Sequence, residues 1–99
     1  MMKKIYFKNL CEYFNKEVEI CGFVESIRDL QYVQFMVVRD ITGKVQVTIE
    51  KNEENSELNS IVSNLTLDST VKITGVLLEN EKVKLNGMEI IPSKIEVTS

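Results

Sequence analysis

The sequence predicts an all-β domain with one or two helices, built as a five-stranded Greek-key barrel with a helix between strands three and four. Three observations carry this expectation. Apolar and polar residues alternate along several segments, the period of a strand with one buried face. One segment breaks that rhythm, spacing Leu58, Ile61, Val62 and Leu65 as one face of a helix. Turn-forming residues sit between the segments, at Asp40-Ile41-Thr42-Gly43 and at Asn86-Gly87.

In chain order, Phe7, Leu10, Cys11 and Phe14 stand at helical spacing and predict a short helix or turn that plugs one end of the barrel. Lys16 to Ile27 reads as a long first strand. Val18, Ile20, Gly22 and Val24 face one way and Glu19, Cys21, Phe23 and Glu25 the other, with a bend or bulge expected at Gly22. Tyr32 to Arg39 is the second strand, Asp40 to Gly43 a tight turn and Lys44 to Glu50 the third strand. The polar run Lys51 to Ser56 leads into a helix from Glu57 to Leu65 that Ser56 is placed to cap. Thr70 to Glu79 is the fourth strand. Val83 to Leu85 and Met88 to Val97 make the fifth, interrupted at Asn86-Gly87 and at Pro92, where a proline marks an edge or a bulge.

Three strands, a helix and two more strands is the order of an OB-fold, and a long bent first strand suits a barrel in which it serves both halves. An open α+β sheet of the same order is the alternative. Ninety-nine residues fit one domain, residues 1–15 forming an N-terminal cap and 16–99 the barrel.

Composition narrows the function. With 43% apolar residues the chain can build one modest core, which leaves no room for a catalytic domain beside it. The net charge of −3 argues against sequence-independent binding to a nucleic-acid backbone, while leaving open a reader that stacks on bases and binds their edges. The absence of histidine removes the usual general base and the usual zinc donors, so no metal site and no catalytic residue is expected. Cys11 and Cys21 are too few for a disulfide framework and are expected as small buried or half-buried residues of a reduced compartment. No apolar run reaches the roughly 18 to 20 residues of a membrane span. The start Met1-Met2-Lys3-Lys4-Ile5 leads into no signal peptide, so a cytoplasmic location without membrane contact is the expectation.

The second and third strands can be paired from their pattern alone. If Asp40 pairs with Gly43, Val38 faces Val45 and Met36 faces Val47, giving a wholly apolar inner face. Val37 then opposes Gln46 and Phe35 opposes Thr48, so Phe35 and Gln46 are diagonal neighbours on the outer face. A slip by one residue would set Lys44, Gln46 and Thr48 against Met36 and Val38. On this face a ring can stack on an unpaired base and an amide can both donate to and accept from a base edge. The competing reading has Phe35 packed under a loop and Gln46 solvated.

Gly22-Phe23-Val24-Glu25-Ser26-Ile27-Arg28-Asp29-Leu30, then Phe35-Met36-Val37-Val38-Arg39-Asp40, then Thr42-Gly43-Lys44-Val45-Gln46-Val47, resembles the N-terminal anticodon-binding domain of aspartyl-tRNA synthetases. Asn86 to Val97 looks like the end of that domain in its archaeal and eukaryotic type. The asparaginyl and lysyl enzymes share the domain, and the Arg28-Asp29-Leu30 and Arg39-Asp40 stretches look more aspartyl than lysyl. The resemblance implies an RNA-binding set of four. Phe35 matches the ring that stacks on the central uridine of the anticodon, and Gln46 the amide that bonds that uridine. Glu89 matches the acid near the first anticodon base, where a carboxylate can accept from the amine of guanine. Arg28 matches a basic residue at the surface of the anticodon stem and loop.

The sequence departs from the family pattern in places. Phe23 stands for a tryptophan, Ser26 for an arginine of bacterial members, and Gln31 and Tyr32 for small residues, while Asn80 and Lys84 differ from the bacterial-type residues after the fourth strand. Arg39 and Asp40 are expected to brace the hairpin or meet a neighbouring domain rather than touch RNA, Arg28 to touch RNA or pair with Asp29 or a nearby acid, and Glu79 and Glu81 to be solvated.

The resemblance thus implies a non-catalytic module of an aspartate-tRNA ligase. Its partners are the anticodon loop of aspartate tRNA, with asparagine tRNA as a second candidate, and the catalytic domain of the same synthetase. The parent enzyme is expected to be a homodimer, with ATP and Mg confined to the catalytic domain missing beyond Ser99. A stand-alone OB protein that binds RNA or another protein is the alternative.

Overall fold

The computed structural model describes residues 5–98. The first four residues of the expected cap, with the basic start Met1–Lys4, and Ser99 lie outside the described residues. A 3-10 helix over Phe7–Tyr13 is followed by β1 (Glu17–Asp29), β2 (Val33–Arg39), β3 (Lys44–Glu50), α1 (Ser56–Ser63), β4 (Thr70–Glu79) and β5 (Met88–Val97). The strands close into a barrel in the order β1-β2-β3-β5-β4, β4 pairing back onto β1. All neighbours are antiparallel except β3 and β5, which run parallel and close the barrel through Gln46 opposite Glu89 and Val47 opposite Ile90. No helix among the described residues is long and apolar enough to cross a membrane.

The core is the inner face of the alternation. Val18, Ile20, Val24, Met36, Val38, Val45, Val47, Ile49, Val71, Ile73, Leu77, Ile90 and Ile95 are buried together, as the period of two requires. The β2–β3 register is the one the pattern selects: Met36 faces Val47, Val38 faces Val45, Val37 faces Gln46 and Phe35 faces Thr48. The 3-10 helix covers one end with Phe7 and Leu10, and α1 covers part of the wall with Leu58 and Val62.

β1 is shared. Its first half, Glu17 to Phe23, pairs with β4, and its second half, Phe23 to Asp29, pairs with β2. The bulge predicted at Gly22 lies instead at Glu25, between Val24 and Ser26. Gly22 is needed for close approach. A Cβ there would meet the Arg39 carbonyl oxygen at 2.6 Å, Val38 Cγ1 at 2.7 Å and the Phe7 ring at 3.0 Å. Glycine lets the plug and β2 approach the strand where it changes partners. The proline bulge in β5 is present, Thr74 pairing with Lys94 and Gly75 with Pro92, so that Ser93 is the extra residue.

Other expectations are corrected. Val83–Leu85 is no strand; it lies in the connection 80–87. Asn86 and Gly87 both take left-handed backbone, with φ of 59° and 62°, which no continuous strand accommodates. Ser56 is the first helical residue rather than the cap. Asn55 holds the cap position without a side-chain cap bond, and its amide donates to the Glu50 carbonyl at 2.9 Å. Cys11 and Cys21 are exposed, not buried. The plug is a 3-10 helix, whose period of three turns residues 7, 10 and 13 toward the core and leaves residue 11 outside. Cys21 lies on the outer face of β1, opposite Lys72.

Two polar networks lock these parts. Asp40 fixes the hairpin turn: Oδ1 accepts from the Thr42 amide at 2.7 Å, the Thr42 hydroxyl at 2.6 Å and the Gly43 amide at 2.9 Å, while Oδ2 accepts from the Phe7 amide at 3.0 Å. Burial pushes this carboxyl up, but the Thr42 hydroxyl and the Phe7, Thr42 and Gly43 amides together outweigh it and hold its pKa below the ordinary 3.8. Gln34 is the buried polar side chain of β2. It accepts from the Asn59 amide at 2.9 Å and donates to the Asn59 carbonyl at 3.2 Å and the Ser63 hydroxyl at 3.0 Å, fastening α1 to the barrel.

Asp40→Asn removes an acceptor from a site lined by donors and is expected to lower stability by about 1 kcal/mol near neutral pH, with solvent screening allowed for. The depressed folded pKa sets the pH window. The carboxylate's contribution is complete above 3.8 and is lost as pH falls through the lower folded value. Urea unfolding of both proteins should show a constant gap from about pH 7 to about pH 4 and a narrowing gap below that. A gap that widens in acid would contradict the assignment.

Candidate nucleic-acid interface

The bulge at Glu25 sets the face that β1 shows beside β2. With strict alternation from the buried Val24, Arg28 would point inward. One extra residue reverses the parity, so Ile27 pairs with Met36 toward the core while Ser26 pairs with Val37 and Arg28 with Phe35 on the outside. Cross-strand pairing then carries two outer rows over the sheet. One runs Ser26, Val37, Gln46, Glu89 across β1, β2, β3 and β5. The next runs Arg28, Phe35, Thr48.

These rows, Thr48 excepted, floor a groove of about 550 Å3, walled on one side by the 80–87 connection. That volume is in the range of small-molecule sites, about 300–1,000 Å3. Phe35, Gln46, Glu89 and Arg28, the four residues named from the sequence, all line it. So do Ser26, Asn80 and Lys84, the positions noted above as differing from the bacterial-type pattern. Lys82, Val83 and Leu85 also line it and were not anticipated as site residues. The parity of β1 alone could not have found Ser26 without the bulge, and nothing in the spacing of the polar connection singles out Lys82.

The polar groups are partly committed. The Arg28 guanidinium stands 5.9 Å from the centroid of the Phe35 ring, a cation–π distance. Arg28 makes no ion pair among the described residues, because its neighbour Asp29 is taken by Lys51 at 2.5 Å. That contact, with help from Gln34 and Ser63, holds the Asp29 carboxyl below its ordinary pKa against slight burial. Gln46 Nε2 donates to the Thr48 hydroxyl at 3.1 Å, leaving an N–H and the carbonyl for a partner. Glu89 Oε2 accepts from Asn80 Nδ2 at 2.7 Å. The lining carries three cations, Arg28, Lys82 and Lys84, against the single carboxylate of Glu89, in a chain of net charge −3. The surface charge is therefore locally inverted where the ring and the amide lie.

Arg39 and Asp40 lie outside this groove. Arg39 sits 3.6 Å from Glu25 and 3.5 Å from Asp68 and stacks 5.4 Å from the Phe23 ring, while Lys44 holds Glu25 at 2.9 Å. They brace the bulge and the hairpin. Glu79 and Glu81 are exposed.

A family model described as an OB-fold nucleic acid binding domain, the tRNA anticodon family, matches residues 18–98. The whole chain is 37% identical to part of the aspartate–tRNA(Asp/Asn) ligase of Methanopyrus kandleri and 33% identical to part of the aspartate–tRNA(Asp) ligase of Pyrococcus horikoshii. It spans 23% of the length of each. A crystal structure of asparaginyl-tRNA synthetase from Pyrococcus horikoshii superposes over the whole chain with a TM-score of 0.87 at 28% identity, again over 23% of that protein.

The division of faces is testable on stability. Met36→Ala empties a fully buried site and should cost about 2–5 kcal/mol, whereas Phe35→Ala, one residue along on the outer face, should cost less than about 1 kcal/mol. Thermal or urea unfolding of the two variants decides it. A Phe35 cost equal to that of Met36 would make the ring part of the core.

Proposed function

The chain belongs to the OB-fold nucleic acid binding domains of the tRNA anticodon family, and from that premise we propose that it reads the anticodon loop of aspartate tRNA, with asparagine tRNA as the second candidate. The observation that carries this reading is the groove itself: Phe35, Gln46, Glu89 and Arg28 line one surface of inverted charge on an acidic chain.

Each group has a role that its chemistry supports. The Phe35 ring offers a stacking face for the central uridine once that base is splayed from the loop. The Gln46 carbonyl accepts from uridine N3–H while its free amide hydrogen donates to O4, a pairing that cytidine, with donor and acceptor exchanged, matches only when the amide turns over and gives up its donation to the Thr48 hydroxyl. Glu89 accepts from the amine of a guanine at the first position. Arg28, Lys82 and Lys84 draw the phosphates in. Selection comes from differential binding of the right anticodon, since the wrong base leaves buried polar groups unpaired.

In the same reading the chain is the non-catalytic anticodon module of an aspartate-tRNA ligase, acting in the cytoplasm as part of a homodimeric enzyme. ATP, Mg and the aminoacylation chemistry reside in the catalytic domain of that enzyme. Residues 1–99 form one such module.

The test is a titration of the 99-residue chain with a stem-loop carrying a GUC anticodon and with its central-cytidine counterpart. The GUC loop is expected to bind more tightly. Phe35→Ala should weaken it by about 1–3 kcal/mol, and Gln46→Ala should bring the two loops to similar affinity. Equal affinity of the unaltered chain for both loops would overturn the reading.

A further inference from the structure

Asn80 sits at the corner of the groove, and each of its four polar atoms makes a hydrogen bond. Its backbone N–H donates to the Gly87 carbonyl at 2.9 Å and its carbonyl accepts from the Val83 amide at 3.0 Å, closing the 80–87 connection from both sides. Its side-chain oxygen accepts from the Lys82 amide at 3.0 Å. Its side-chain nitrogen is then left to point at Glu89, and donates to Oε2 at 2.7 Å. The Lys82 contact settles which end of the amide is which, because a backbone N–H must face the oxygen. Glu89 is itself fixed in the sheet, opposite Gln46 across the parallel seam.

We propose that Asn80 is a positioning residue that acts through Glu89: by holding Oε2 it turns Oε1 to the groove as an acceptor and so sets the preference for a donor on the first anticodon base. This inference rests on the anticodon reading above. Asn80 lines the groove as well, and the role assigned to it is the orientation of that carboxylate. Among the described residues, the short charge-assisted bond leaves the other oxygen of Glu89 without a partner, in a row shared with Gln46, rather than a freely turning carboxylate.

The geometry makes an unusual demand that separates orientation from mere support. With Glu89→Gln, the Asn80 donor must hold the glutamine oxygen, so the glutamine NH2 faces the groove and the site becomes a donor. Adding Asn80→Asp reverses the arrangement. The introduced aspartate still accepts from the Lys82 amide and now accepts from the glutamine NH2, which returns an oxygen to the groove. The double variant has the net charge of the unaltered chain, so backbone attraction does not differ between them. Asn80→Asp alone sets two carboxylates at hydrogen-bond distance, and their repulsion drives Glu89 out of position.

The readout is the affinity ratio between stem-loops carrying GUC and IUC, inosine lacking only the exocyclic amine of guanine. The unaltered chain is expected to favour guanine about tenfold, one hydrogen bond to a charged acceptor. Asn80→Asp and Glu89→Gln should each bring the ratio close to one, and Asn80→Asp/Glu89→Gln should restore a clear preference for guanine. Melting temperatures identify any variant that does not fold, and if the double variant is one, the single Asn80→Asp ratio decides.

Equal ratios for Glu89→Gln and the double variant, an undiminished ratio for a folded Asn80→Asp, or no preference for guanine in the unaltered chain would each overturn the role of Asn80. The central-base comparison, run beside it, tells the two failures apart. Preserved discrimination of uridine from cytidine leaves the anticodon reading standing without Asn80, and its absence removes both.

Discussion

The structure depends on one strand serving two neighbours. Barrel closure requires β1 to pair with β4 along its first half and with β2 along its second, Phe23 alone being paired on both sides. A strand that changes partners must bend, and this one does so with a glycine that lets β2 approach and a bulge three residues later. The bulge also inverts the parity of every later residue in β1. Without it, Arg28 would enter the core and Ile27 would face solvent, a substitution of charge for hydrocarbon that no barrel of this size could absorb. The constraint that closes the fold and the device that places Arg28 beside Phe35 are thus the same feature.

The rest of the groove inherits its rigidity from elements that are fixed for other reasons. Phe35 and Gln46 stand on the hairpin whose turn is knotted by Asp40, and that knot also ties the Phe7 plug to the turn. Gln34, between Val33 and Phe35 on β2, is buried and bonded to α1, so the strand under the ring cannot slide without breaking a satisfied buried network. Gln46 and Glu89 lie at the short parallel seam that completes the barrel. On the proposed reading, a surface assembled this way binds without first ordering itself, and so loses less entropy than a loop-built site would.

The hairpin register was legible in the sequence because burial penalises a slip by one residue so heavily that only one pairing keeps Met36 and Val38 against apolar partners. The order of elements and the two outer residues Phe35 and Gln46 followed from the same rule. What was not legible depends on partners remote in sequence. The bulge was expected at Gly22, the visible breaker, but lies at Glu25, where the carboxylate is held by Arg39 and Lys44 from other strands. Val83 and Leu85 look like strand residues because they are apolar. They line a loop wall instead, since Asn86 and Gly87 turn the chain there. Cys11 was assigned by a period of 3.6 where the plug runs at three. Glu89 and Arg28 were reached only through resemblance, and the structure supplies the cross-strand pairing that puts them in the groove with the other two.

The net charge and the local charge then have separate consequences. A chain of −3 is repelled by a polyanion as a whole, so it gains little from counterion release along a generic backbone. Three cations beside one carboxylate make the groove locally positive, and screening confines that effect to about 8 Å at physiological ionic strength. On the proposed reading, an RNA meets this attraction where a splayed base can also meet the ring and the amide. Had the whole surface been basic, duplex and loop would be held alike, and contacts to a base edge would add a small increment to a large common term. On that reading, with the common term suppressed, stacking and base-edge hydrogen bonds make up the main part of the binding energy, and a domain with few contacts can still discriminate.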